Sequence, residues 1–113
     1  MPPGYAETVE FITGPMKAYV IVDPHNNEQG LRFNGVDVSL TDLASLWQAL
    51  ATRWKDNPRV IFGLYNEPRY GQVRQKRAFF DPNNLDSQGV MIRAWHEWMQ
   101  ATIDVVRHTG ATN

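Results

Sequence analysis

An α/β fold with two parallel strands, in the order α-β-α-β-α, is predicted by three observations on this sequence. Two short apolar runs, Ala18-Tyr19-Val20-Ile21-Val22 and Val60-Ile61-Phe62-Gly63-Leu64-Tyr65, are rich in β-branched and aromatic residues, the pattern of parallel strands buried on both faces. Around and between them, three segments space their apolar residues by three and four, which gathers those residues on one stripe of a helix. Both runs end in a proline-containing polar segment, Asp23-Pro24 and Asn66-Glu67-Pro68. The residue before a proline is held extended, so Glu67 suits a strand end.

In chain order, Tyr5, Val9 and Ile12 predict a short helix over residues 5–13, closed by Gly14 and Pro15. The first strand follows over 18–22. His25 to Val38 is polar and contains Gly30 and Gly35, and reads as a long loop, a common carrier of function. Leu40, Leu43, Trp47, Leu50 and Trp54 share the face of the second helix, with Ser39 or Thr41 as its cap, and Lys55-Asp56-Asn57-Pro58 stops it. The second strand covers 60–65, and 69–88 form another polar loop. The third helix spans roughly 89–108, with Ile92, Trp95, Met99, Ile103 and Val106 on its stripe, and ends before Gly110. Two such strands joined through a helix form a right-handed βαβ unit.

Two parallel strands are too little sheet to bury three apolar helix stripes, and they leave both edges unpaired. A closed (β/α)8 barrel takes about 200 residues or more, so 113 residues accommodate roughly a quarter of one. The expected object is a single incomplete domain, part of a TIM barrel, with self-association through its exposed sheet edges as a consequence. The net charge of -1 gives no reason to expect nucleic acid or an anionic membrane as partner. No apolar run is long enough to span a bilayer. The absence of cysteine excludes disulfides, thiolate metal sites and cysteine nucleophiles. Met1 to Tyr5 lack the basic and apolar regions of a signal peptide.

The carboxyl ends of the strands are where such barrels build active sites, and they carry His25 and the Asn66-Glu67-Pro68 triplet. A glutamate there, between Tyr65 and Pro68, is expected to be partly desolvated, which favours the protonated acid near neutral pH and equips it to donate to a leaving oxygen. Asn66 offers an amide to a substrate hydroxyl. A bare Asn-Glu-Pro triplet is equally what a solvated turn produces, and the same loops would serve a non-catalytic α/β module that binds carbohydrate or protein.

The run from Val60 through Tyr65 into Asn66-Glu67-Pro68 resembles the signature of glycoside hydrolase family 5, the cellulase family. Tyr19-Val20-Ile21-Val22-Asp23-Pro24-His25-Asn26 resembles the family's third-strand motif, an apolar strand ending in Asp, any residue, His. The helix from Leu46 to Pro58 is similar to the one before the family's fourth strand, and the closing helix through Asn113 to the one before its fifth, so the likeness runs from about Tyr5 to Asn113. The resemblance implies a retaining endo-β-1,4-glucanase of secreted origin, acting on a β-glucan such as cellulose. It implies Glu67 as acid/base, Asn66 as the partner of the sugar 2-hydroxyl, and His25, Asn26 and Tyr70 as substrate contacts, with no cofactor and no metal. The family's second glutamate, on its seventh strand, has no counterpart in this sequence. Asp23, Glu28, Asp81 and Glu97 do not match it, and a chain lacking it is expected to be inactive alone.

Within the matched region, His25 to Phe33 departs from the aromatic-rich stretch usual after that histidine, and residues 71–88 are longer and more basic than the pattern. Arg74, Lys76 and Arg77 read as a solvated cluster, and Phe79 and Phe80 share with Tyr70 the ability to stack on a pyranose. Trp47, Trp54 and Trp95 lie on core stripes with Trp98 bordering them, whereas His96 and His108 lack paired metal-ligand spacing.

Overall fold

The computed structural model describes residues 3–25, 32–33, 36–37, 39–65 and 85–113, with side chains described for 3–25, 39–65 and 96–113. The elements are α1 (Tyr5–Thr13), β1 (Val20–Val22), β2 (Arg32–Phe33), β3 (Val36–Asp37), α2 (Leu40–Trp54), β4 (Val60–Phe62) and α3 (Leu85–His108). β1 and β4 pair in parallel, with Val20 opposite Val60, Ile21 opposite Ile61 and Val22 opposite Phe62. The predicted βαβ plan is present, with α2 as the connection.

Both strands are shorter than predicted, because the flanking backbone is used elsewhere. The residues after α1 fold back on its end: Met16 N–H donates to the Phe11 carbonyl and Ala18 N–H to that of Ile12. Ala18 is thereby withdrawn from the ladder, and β1 begins at Val20. At the far end Gly63 N–H still donates to the Val22 carbonyl at 2.9 Å, but the Leu64 carbonyl is taken by the Trp47 indole, also at 2.9 Å, and β4 stops at Phe62.

The expectation of strands buried on both faces is corrected. Val22 and Val60 are buried in a single core with Leu43, Trp47, Leu50 and Trp54 of α2, Ala6 and Val9 of α1, and Val106 of α3. The alternate residues are open: Tyr19 is 69% exposed, Ile21 65% and Ile61 45%. Successive side chains on a strand point to opposite faces, and among the described residues the helices cover only one of them.

Polar His25 to Val38 is not wholly a loop. β2 and β3 pair antiparallel, with Phe33 opposite Val36, so the two intervening sequence positions are Asn34 and Gly35, the strongest short hairpin signal. α2 selects Ser39 over Thr41 as its cap: the Ser39 hydroxyl accepts from Asp42 N–H at 3.1 Å, and Asp42 Oδ2 accepts from Ser39 N–H at 2.8 Å, a reciprocal capping box. α3 starts at Leu85 rather than near Gly89; residues 85–88 contain no glycine or proline to stop it, and Asp86 suits a helix amino terminus. Its buried stripe also differs, running through Thr102, fully buried, while Ile103 is partly exposed. Thr102 satisfies its hydroxyl on the Trp98 carbonyl at 2.8 Å, which removes the cost of burying it.

The end of the unit opposite the strands' carboxyl ends is closed by amides. Asn57 donates to the Thr13 hydroxyl at 2.9 Å and accepts from Arg59 N–H. The Asn113 amide nitrogen donates to the carbonyls of Trp54, Asn57 and Val60 at 2.9–3.1 Å. α3 ends in a left-handed turn at Gly110, φ 88°, a conformation that costs other residues more, and this returns Ala111 to the core.

Candidate active site

Of the predicted site residues the structure describes His25, at the carboxyl end of β1; Asn26, Asn66, Glu67 and Tyr70 lie outside the described residues, as do Glu28, Arg74, Lys76, Arg77, Phe79, Phe80 and Asp81. The described part of the site is therefore the platform formed by the ends of β1 and β4.

Two further residues stand on that platform, Asp23 beside His25 and Gly63 beside Asp23. Asp23 precedes His25 by two positions, and its Oδ2 lies 3.5 Å from His25 Nδ1, with both side chains partly exposed. Gly63 continues β4 next to them, where an added Cβ would stand 3.0 Å from the Asp23 Cβ and 3.4 Å from the Ile21 Cγ2. The two-residue period of the first strand, Ile21, Asp23, His25, was the available signal. The Asp23 charge also reaches α1: burial pushes the Tyr5 hydroxyl pKa up, and the negative field of Asp23 adds to that shift.

Beneath the platform, fully buried Trp47 packs edge-on to Phe62 with ring centroids 5.3 Å apart. Its indole N–H to the Leu64 carbonyl fixes the backbone where β4 leaves the sheet. Trp47 and Trp54 are core residues, as their spacing predicted. Elsewhere, His96 and His108 are on the surface; His108 Nδ1 donates to the Asp104 carbonyl at 2.8 Å. Among the described residues no three His, Asp or Glu side chains converge on a metal position, and no helix is long and apolar enough to cross a membrane.

A platform at the carboxyl ends of adjacent parallel strands holds a histidine and a carboxylate side by side, at the end of the strands where (β/α)8 enzymes build their active sites. The family model Cellulase (glycosyl hydrolase family 5) matches residues 5–113. Among characterised proteins, the chain is 38% identical over 78 residues to Endoglucanase 1 of Robillarda sp. (strain Y-20), covering 57% of this chain and 20% of that protein. It is 35% identical over 102 residues to Endoglucanase 1 of Saitozyma flava, covering 85% and 24%, and 36% identical over 107 residues to Endoglucanase 3 of Humicola insolens, covering 95% and 22%. The chain thus spans between a fifth and a quarter of the length of these relatives.

Proposed function

The chain belongs to glycosyl hydrolase family 5, the cellulase family, and from that premise we propose that it is the part of a secreted, retaining endo-β-1,4-glucanase that carries the general acid/base, Glu67. The observation that carries the proposal is the pairing of β1 with β4 in a register that sets Val22 beside Phe62. His25 follows the first of these residues by three positions and Glu67 the second by five, and this short, similar spacing from a paired register supports reading the two as residues of one strand-end site. We assign β1 and β4 to the third and fourth strands of the parent barrel.

In this reading Glu67 protonates the glycosidic oxygen as the C–O bond breaks, and the resulting carboxylate then removes a proton from the water that releases the sugar. Asn66 holds the sugar 2-hydroxyl, and His25, Asn26 and Tyr70 position the ring in a β-glucan such as cellulose. Retention requires a second carboxylate about 5–5.5 Å away to attack the anomeric carbon. This sequence contains no second glutamate in an equivalent strand-end motif, so the 113-residue chain is inactive by itself. Reducing-sugar release from carboxymethylcellulose tests this. The chain alone should release none, while an extended chain that continues to a second strand-end glutamate should release sugar with retained β configuration. Hydrolysis by the short chain, or inverted product from the long one, would refute the proposal.

A further inference from the structure

The site contains a charged group that acid/base chemistry does not use. Asp23 follows β1 directly, and the Asp23-Pro24-His25 sequence dictates its relation to His25. The proline holds Asp23 extended and fixes its own φ near about −65°, so the residues on either side of it share one face of the chain. Pro24 is buried, Asp23 is half-buried and His25 is exposed. Nδ1 and Oδ2 are 3.5 Å apart. That is longer than a closed N–H···O bond, as pairs of this kind commonly are before substrate tightens them. Among the described residues the structure records no other ion pair or hydrogen bond for this carboxylate.

The neighbouring strand leaves room for it. Any side chain at Gly63 would press on Asp23 at 3.0 Å from Cβ to Cβ, with the Val22 carbonyl at 3.6 Å behind. Gly63 has a reason to lack a Cβ here that is independent of backbone dihedrals.

We propose that Asp23 is a positioning residue for His25: its carboxylate accepts the Nδ1–H of the neutral imidazole, which leaves Nε2 as a bare acceptor for a sugar hydroxyl, and Gly63 keeps the place in which Asp23 stands. Its functional meaning rests on the reading of His25 as a substrate contact, but the geometry is tested without substrate. A neutral imidazole carries its proton on one nitrogen, and the partner of that nitrogen decides which.

The measurement is the ring-nitrogen NMR spectrum of the 113-residue chain at about pH 8.5, where an ordinary imidazole is neutral. Two internal standards are present: His108, whose Nδ1 donates to the Asp104 carbonyl, and exposed His96. His25 should match His108, with Nδ1 protonated and Nε2 bare. Asp23→Ala should move it to the pattern of His96 and leave His108 unchanged. Gly63→Ala, which touches neither partner's chemistry, should shift His25 in the same direction by displacing Asp23. Should Asp23→Ala unfold the chain, seen as loss of the His108 pattern, Asp23→Leu removes the acceptor while filling the space and should shift His25 likewise. A wild-type His25 with its proton on Nε2, or one indifferent to all three substitutions, would overturn the proposal. Either result leaves the acid/base assignment of Glu67 standing, because no turnover is read; conversely, an active Glu67→Gln enzyme would leave this pair untouched.

Discussion

The two ends of the parallel strand pair are built to different rules. At the end where the strands begin, Asn57 donates to the Thr13 hydroxyl and the Asn113 amide nitrogen to the carbonyls of Trp54, Asn57 and Val60, with Arg53 and Glu10 paired at 2.7 Å on the rim. At the end where the strands finish, the Trp47 indole and Gly63 N–H bonds tie the backbone, but the charged side chains meet only in a 3.5 Å approach of Asp23 to His25, both partly open to solvent. The end where the strands begin is tied by bonds that hold the fold, and the end where they finish keeps charged groups open to solvent. Hydrogen bonds that are already satisfied are unavailable to a ligand, whereas a charged pair at a strand mouth still has capacity to bind one. The division of labour matches that of (β/α)8 barrels, in which the two faces serve stability and activity separately.

Substitutions sharpen the contrast, beginning with the core that joins both ends. Trp47→Ala removes a fully buried indole and should cost about 3–5 kcal/mol, measured by urea denaturation. Trp47→Phe keeps most of the packing but strands the Leu64 carbonyl, at about 1–3 kcal/mol. Asn113→Ala deprives three carbonyls of one donor. It should lower stability by about 1–3 kcal/mol in the same denaturation measurement, without altering the His25 ring spectrum.

Smaller effects are expected at the cap of α2. Ser39→Ala should cost about 1 kcal/mol at neutral pH. The hydrogen bonds from the Ser39 hydroxyl and backbone hold the Asp42 carboxyl below the usual carboxylate range. A carboxyl whose pKa is lower folded than unfolded stabilises the fold above its unfolded pKa, and that contribution is lost as pH falls through its folded value. The gap between wild type and Ser39→Ala should therefore narrow on acidification below about pH 4, seen as converging urea midpoints. The exposed Arg53–Glu10 pair is the smallest: Arg53→Gln should change stability by less than about 1 kcal/mol, and the difference should shrink further with added salt.

The legibility of the molecule follows the same division. The helices and the pairing of two strands were readable because long-period apolar stripes report burial directly: Leu43, Trp47, Leu50 and Trp54 all lie in the core. Strand length was not readable, since it depends on which partner captures a particular backbone group. Ala18 is bonded to α1 and Leu64 to an indole that is distant in sequence. Nor did apolar character reveal the open face. Ile21 and Ile61 look like core residues, yet their burial depends on what lies across the sheet. In the site, His25 stood out by its motif. Asp23 belonged to the same motif, but its relation to Gly63 was not legible, because it exists only once two strands lie side by side and an added Cβ at the glycine would stand 3.0 Å from the Asp23 Cβ.

The most direct test of the division between a stabilising base and a chemical mouth is Glu67→Gln in an extended, active chain, with activity on carboxymethylcellulose and thermal midpoint measured on the same sample. The rate should fall by about 10²–10⁴-fold at an unchanged midpoint. Full activity after the substitution, or a loss of activity explained by a lowered midpoint, would contradict it.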